Sequence, residues 1–439
     1  MSEHEVGRRK VVSRRAVFGS IVGLGVIGAC GGETTPAPAA SVKPATVGWM
    51  IWGGEEEKKV HNATKDGFEK AYPNLKLDLT VLPLGDPTIN YDDKLSAMIA
   101  GGNAPDVIRV NVRNFEKAML PLDDYVKKDK DFDLGDYIPS VLEAGKWKGK
   151  LLQIIGKLGP QVLYFNATKF KEQGIPTPRE QAEKGTWDFD AFLQAATKLT
   201  IRKDAEVKQY GYIPYASFWT WINQGGGKPF NADCSEGYLD KPENHDPVQF
   251  RADLVTKHRV AHTNDDPANL KSWQGFVGGF GAMFISGPWQ MARIKGKLGD
   301  AWDIAPPPLQ KTGRPHMQAA GESLWNGTKI PDQAFKYLSY MEGKEGQKIW
   351  SKAGTDLPGR KSVMADFAAG KLFDDPTLMP PNGKVWADIT PKCEIFPIIT
   401  KDATDAYTKA YNDVLAGKIN AKDAFTEANK VAMISLKSK

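Results

Sequence analysis

The chain has 439 residues, 41% hydrophobic and 25% charged, with 43 glycines and 29 prolines. That composition excludes a disordered, collagenous or coiled-coil protein and leaves room for two or three domain-sized cores. The formal charge is +5, of which residues 1–29 carry +3, so the remainder gives no reason to expect a nucleic-acid partner. Three well-separated cysteines exclude a disulfide scaffold and a cysteine-rich metal site. A mean hydropathy of −0.42 excludes a polytopic membrane protein.

Residues 1–29 read as an export signal. Arg8, Arg9, Lys10, Arg14 and Arg15 precede Ala16–Ala29, an uncharged run. It is shorter than the roughly 20 residues of a bilayer span but suits a signal-peptide core. Ser13-Arg14-Arg15 resembles a twin-arginine signal, and Ile27-Gly28-Ala29-Cys30 resembles a lipobox, whose acylated cysteine becomes the mature N-terminus. Gly19, Gly23, Gly25, Gly28 and Gly31 argue against a permanent anchor helix. Residues 30–45 are rich in Pro, Ala and Gly without apolar periodicity, a tether spanning roughly 20 Å if flexible or about 45 Å if stretched. The folded part is expected from Thr46 onward, outside the cytoplasm, at the outer face of the cell membrane or in the periplasm.

Strand and helix patterns then alternate. Thr46–Trp52 predicts a strand that Gly53-Gly54 ends, and Glu55–Ala71 a helix stopped by Pro73. Leu75–Leu82 alternates like a strand. Tyr91, Leu95, Met98 and Ile99 mark a helix closed by Gly101-Gly102, and Pro105–Val110 is the next strand. Short links between such units argue for right-handed βαβ connections and an α/β sheet. Further helices are predicted at Asp188–Leu199, from Asp246-Pro247, at Pro331–Met341, Gly346–Lys352, Asp402–Leu415 and Ala421–Leu436. Gly281–Ile285 predicts a buried strand, with Ser286 capping a helix that contains Pro288-Trp289. A folded part of this length divides by default into two lobes.

The sequence contains no GxSxG, HExxH, GxxxxGK[ST] or CxxC. Gly278-Gly279-Phe280-Gly281 precedes a strand, so it is a turn rather than a phosphate cradle. His258 and His262 stand at metal-sharing spacing but close a helix C-terminus, which favours a dipole role over a metal. Glu55-Glu56-Glu57 in a first helical turn complements the dipole. The stronger signal is aromatic. Of twelve tryptophans, Trp52, Trp219, Trp221, Trp289 and Trp325 take loop or helix-start positions, whereas Trp49, Trp187 and Trp350 sit inside core patterns. A sugar offers C–H faces to flat rings and hydroxyls to carboxylates, amides and guanidinium groups. Trp219 and Trp221 lie roughly 200° apart around their helix, so at most one faces a cleft.

Several segments in common order resemble a family, the extracellular solute-binding proteins of ABC importers (family 1, the maltose-binding-protein-like group). They are Phe68-Glu69-Lys70-Ala71-Tyr72-Pro73, Lys94–Val107, Leu120–Val126, Leu163–Asn166, Thr186-Trp187-Asp188, Ala282–Trp289, Ala334–Leu338, Leu357-Pro358-Gly359-Arg360 and the stretch from Gly417 to Lys430. The resemblance implies an α/β fold of two lobes joined by hinge crossovers around a cleft, the periplasmic-binding-protein architecture of type II. Lobe 1 would comprise residues 46–154 and 306–352, lobe 2 residues 155–305 and 353–439. Strand C-termini and helix N-termini would face the cleft. By position, ligand-binding residues would be Trp52, Gly53, Glu55, Asn111, Arg113, Gln161, Trp219, Trp221, Trp289, Glu322, Trp325 and Arg360. Trp289 matches the family's stacking tryptophan, and Ile154–Gln161 departs from its usual crossover.

These readings lead to the expectation of a non-catalytic, lipid-anchored receptor, monomeric and free of cofactor or metal. It would bind a carbohydrate, an oligosaccharide for preference, and deliver it to importer permease subunits. The alternatives are an extracellular carbohydrate-active enzyme, which needs a cleft with paired carboxylates, and the same fold binding glycerol phosphate or a polyamine. Cys234 and Cys393 are open to two readings, a disulfide or two free buried thiols.

Overall fold

The computed structural model describes residues 43–83, 90–110, 112–204, 206–214, 216–231, 233–262, 273–395 and 399–437. The expected signal segment, Cys30 and most of the expected tether lie outside the described residues.

In chain order the strands are β1 (Ala45–Gly53), β2 (Leu75–Pro83), β3 (Val107–Arg109), the small hairpin β4 (Lys146–Trp147) and β5 (Lys150–Leu151), β6 (Ile154–Pro160) and β7 (Val162–Asn166). After these come β8 (Ile201–Lys203), β9 (Glu206–Ile213), β10 (Gly281–Ser286), β11 (Trp302–Ala305), β12 (His316–Leu324), β13 (Leu357–Pro358) and β14 (Glu394–Ile395). They form two principal sheets. The first has the order β13-β6-β12-β3-β1-β2, with β14 pairing the start of β12; the second is β11-β7-β10-β9-β8. β1 runs parallel to β2 and β3, and β9 parallel to β10, so each sheet has one edge where strand C-termini gather.

The first lobe packs β1 and β3 against the helices Glu55–Ala71 and Pro331–Met341, with Val47, Trp49, Ile51, Phe68, Tyr337 and Trp350 buried between them. The second packs β7 and β10 against Phe189–Leu199 and Phe218–Gly225 through Leu163, Phe165, Phe192, Trp221 and Met283. Helices Lys401–Leu415 and Ala421–Lys437 pair with each other and close over Phe218, Trp219 and Val248 on the second lobe.

The chain passes between the sheets at Gln161, between β6 and β7, and again through residues 306–315, between β11 and β12. Residues 155–160, 357–358 and 394–395 therefore pair within the first sheet, against the expectation that they belong to the second lobe. The stretch before β12 is fastened to the second lobe: Gln310 N–H donates to Gln224 O at 2.9 Å and Arg314 N–H to Asn223 O at 2.8 Å.

Three local expectations are corrected. The helix read from Asp246-Pro247 begins at Pro242 and takes Pro247 into its interior, where the ring packs on Gly225 so closely that a Cβ there would lie 2.1 Å from Pro247 Cγ. Ser286 remains in β10, and Gly287 caps a short 3₁₀ turn, Pro288–Gln290, before the helix Met291–Leu298. The helix read as Gly346–Lys352 runs from Lys344 to Ser351. Cys234 and Cys393 are free thiols, one packed among the C-terminal helices and the other in the core shared by the two sheets.

Candidate functional site

At the C-terminal edge of the first sheet, β1 ends on Trp52 and Gly53 and the helix Glu55–Ala71 begins. Glu57 turns back to accept from Gly54 N–H at 2.9 Å and covers Gly53 so closely that a Cβ there would meet Glu57 Cβ at 2.8 Å. Glu55 is exposed in that first turn. Trp52 is half-buried. Tyr91 meets its ring edge-on at 5.1 Å between centroids, and the Arg109 guanidinium lies 5.6 Å from its centroid while donating to Trp52 O at 3.4 Å. Tyr91 is itself held by donating to Met50 O at 3.0 Å.

Under this wall lies a buried ionic cluster that follows from strand register. β12 runs antiparallel to β3 with Glu322 opposite Arg109. Arg109 Nη2 and Nε donate to Glu322 Oε1 at 2.8 and 3.1 Å, and Lys157 Nζ of β6 lies 3.7 Å from the same oxygen. His61 Nε2 sits 3.2 Å from Arg109 Nη2 and 3.3 Å from Lys157 Nζ. Glu342, at the end of the helix Pro331–Met341, reaches β6 at Gly156, where a Cβ would lie 1.5 Å from Glu342 Oε2.

The charges follow from this packing. Burial raises Glu322, but Lys157 and Arg109 more than offset it and hold its carboxyl below the usual range. Burial, then the charge of Glu322, pushes Glu342 well up, so it is held protonated. Burial, and then Arg109, pulls Lys157 down to about 8. Burial, with Lys157 and Arg109 repelling a proton, keeps His61 neutral. Asp356, just before β13, is raised chiefly by burial, with Lys157 and Arg109 opposing and Glu57 adding to the rise. Glu322 and Glu342 have no solvent exposure, so this pair of carboxyls is structural and out of reach of a substrate.

At the corresponding edge of the second sheet, β10 ends on Ser286 and the chain turns through Gly287-Pro288 into Trp289, which is half-buried. Tyr164 donates to Gly287 O at 2.7 Å, fixing the turn to β7. The benzene edge of Trp289 lies against Gly159 of β6, so the ring is in contact with the passage between the sheets. Gln161, at that passage, is buried and its N–H donates to His316 O at 2.8 Å. His316, also buried, is held neutral by burial, which lowers it to about 3.

The structure thus leaves Trp52, Gly53, Glu55, Gln161 and Trp289 at the strand C-terminal edges or the passage between sheets. Asn111 and the side chain of Arg113 lie outside the described residues. Five expected site residues are placed elsewhere. Trp219 is 3% exposed, its centroid 4.3 Å from Phe218 and 5.7 Å from Phe230, and Trp221 is fully buried against Phe189 and Phe192. Neither faces a cleft, because their helix is covered on both sides. Glu322 is the counter-charge of Arg109. Trp325 follows the end of β12, which runs antiparallel, so it sits at the opposite edge of the first sheet, with its N–H donating to Asp106 O at 3.0 Å. Arg360 is 1% exposed and donates to Glu342 O at 2.8 Å and Asp133 O at 2.9 Å, its guanidinium between Phe132 and Tyr137.

The sequence pattern marks Tyr91 only as a helix position and does not point to Arg109, Lys157 or Asp356. Arg109 and Lys157 did carry a signal, a lone cation in each of the otherwise apolar runs Val107–Val110 and Ile154–Leu158. Among the described residues, no group of His, Cys, Asp and Glu is arranged to hold a metal, and no helix is long and apolar enough to cross a membrane.

The sequence profile of a family described as bacterial extracellular solute-binding protein matches residues 63–380. An uncharacterised ABC transporter extracellular-binding protein of Pyrococcus horikoshii is 22% identical over 392 residues, covering 82% of each chain. Among solved structures, the substrate-binding protein Lmo0181 of Listeria monocytogenes in complex with cycloalternan superposes with a TM-score of 0.75 and 24% identity, over 88% of this chain and 98% of that one. The GacH receptor of Streptomyces glaucescens, solved unliganded and with acarbose, gives 0.74 and 20% over 90% and 99%. Maltose-bound MalE3 of T. maritima gives 0.71 and 17% over 88% and 98%. The two-lobed fold is common to all three.

Proposed function

The chain belongs to the bacterial extracellular solute-binding protein family, and on that premise we propose that it is the sugar receptor of an ABC importer. In this reading it is a binding protein and not an enzyme, exported, tethered through an acylated Cys30, and taking an oligosaccharide between its lobes for delivery to permease subunits. The observation that carries the reading is the pair of half-buried tryptophans, Trp52 and Trp289, at the strand C-terminal edges of the two sheets. Each would offer indole surface to a sugar ring, and Glu57, packed on Gly53 next to Trp52, would supply an acceptor for hydroxyls. Relatives of the same fold are described with cycloalternan, acarbose and maltose bound.

A ligand that touches both lobes favours the closed form by its differential affinity, and the permease would recognise that form. The test is a thermal-shift screen of the mature protein over oligosaccharides, with glycerol phosphate and a polyamine included. A cognate sugar at 100 times its Kd adds about 2.7 kcal/mol of stability. Stabilisation by glycerol phosphate or the polyamine alone would replace the sugar reading. For the anchor, Cys30→Ser should release the protein from membranes, and an unmodified Cys30 in membrane-derived mature protein would refute acylation.

A further inference from the structure

The indole of Trp289 is seated on backbone from both sheets. At Gly287, which follows β10 of the second sheet, an ideal Cβ would lie 2.3 Å from both Cζ3 and Cη2 of the ring and 2.8 Å from Cε3. At Gly159, in β6 of the first sheet, a Cβ would lie 2.5 Å from Cζ3, 3.3 Å from Cη2 and 3.5 Å from Cε3. Both contacts fall on one edge of the benzene ring, so that edge is wedged between a segment of each sheet.

Neither glycine is needed for backbone conformation. Gly287 has φ of −93°, open to any residue, and Gly159 is paired with Gln318 in a strand and is absent from the positive-φ positions. What each position supplies is space for the ring. Tyr164, donating to Gly287 O at 2.7 Å, keeps the second-sheet side of the seat in place. The first-sheet side lies two residues before Gln161, where the chain passes between the sheets.

We propose that Gly159 is a positioning residue for the binding site: it sets the plane of the Trp289 indole against the first sheet, so that ring orientation and lobe orientation are coupled. The proposal rests on the reading of Trp289 as the ring that stacks on the sugar. A methyl group at residue 159 has to displace the ring edge, since β6 is paired on both sides by β12 and β13 whereas Trp289, outside any strand, is only half-buried. Trp289→Phe removes the Cζ3–Cη2 edge and with it the clash.

The test is a double-mutant cycle on the mature protein, read by calorimetric titration of the best oligosaccharide. Gly159→Ala should weaken binding tenfold or more in the wild-type background and less than twofold in the Trp289→Phe background, with unfolding temperature nearly unchanged. Equal weakening in both backgrounds, or none in either, would overturn the proposal. A fluorotryptophan ¹⁹F resonance, assigned to Trp289 by its loss in Trp289→Phe, should shift in Gly159→Ala without any ligand. If the wild type binds no sugar but this resonance shifts, the sugar reading falls and the seat stands; an unmoved resonance removes the seat. Should Gly159→Ala not fold, Gly287→Ala presses the same edge from the second sheet and must give the same pattern.

Discussion

Below Trp52 the first sheet buries Arg109, Lys157, Glu322 and Glu342 around a neutral His61, whereas behind the Gly287–Trp289 turn the second sheet stacks Tyr164 on Phe284 at 4.9 Å and on Trp302 at 5.8 Å. One wall of the cleft rests on paired charges and the other on aromatic packing. The difference has a physical consequence. Buried charges fix geometry through direction, since the Arg109 fork reaches Glu322 and Trp52 O together, but they depend on protonation and on every partner being present. Aromatic packing is indifferent to pH and graded in its response to truncation.

The largest effect expected from this contrast is in the charged wall. Glu322→Ala leaves Arg109 and Lys157 buried with their shared counter-charge gone and should cost about 3–5 kcal/mol in denaturant unfolding. A cost below about 1 kcal/mol would mean that water reaches the cluster, and the contrast would dissolve.

The next is acid sensitivity at the passage between the sheets. His316 has a folded pKa of about 3, below its unfolded value, so the unfolded chain binds the extra proton. Stability from this group is complete above the unfolded value near 6.5 and is lost as pH falls from there toward 3, by about 1 kcal/mol at pH 5.5. His61, lowered for the same reason, adds loss in the same direction. His316→Gln should flatten the acid limb of a stability-versus-pH curve, and an unchanged limb would remove His316 from the account.

In the aromatic wall, Tyr164→Phe keeps the stack and removes only the hydroxyl that holds Gly287 O. The expected cost is about 1 kcal/mol in chemical denaturation, with no pH dependence between 5 and 8. A pH-dependent cost would show that the second wall is not apolar in its behaviour. The smallest effect is at the surface, where Arg314 and Glu394 pair at 2.9 Å with both side chains about half exposed. Arg314→Ala should change stability by less than about 1 kcal/mol, and the difference should vanish at high salt.

The same contrast explains what could be read in advance. Periodicity located β1, β2, β3 and β10 and the longer helices, because burial of one face leaves a pattern along the chain, whereas β6, β7, β9, β11 and β12 were not read from it. The turn into Trp289 was legible in part: Pro288 marks a helical start, but Ser286 stays in β10 and a 3₁₀ turn, Pro288–Gln290, precedes the helix. Trp219 and Trp221 were not legible, because tertiary packing decides their burial: Lys401–Leu415 and Ala421–Lys437, far along the chain, cover Trp219, and Phe189–Leu199 covers Trp221 on the other side. Trp325 and Glu322 were misplaced for another reason. β12 returns antiparallel, so position along it maps to the opposite edge, and its register with β3 makes Glu322 a partner of Arg109. Arg360 likewise finds Asp133 O and Glu342 O through tertiary contacts that no local spacing encodes.

In the proposed function, one ligand, a sugar, is held across the cleft with Trp289 as its aromatic floor. Calorimetric titration of the Trp289→Ala protein with the cognate oligosaccharide tests it most directly. An indole covering a sugar face buries roughly 60–80 Å² of apolar surface, about 1.5–2 kcal/mol, and stacking adds about 0.5–1 kcal/mol. Affinity should therefore fall on the order of 30- to 100-fold while the unfolding temperature moves little. Unchanged affinity together with a large drop in Tm, the signature of a core tryptophan worth about 3–5 kcal/mol on truncation, would contradict the account.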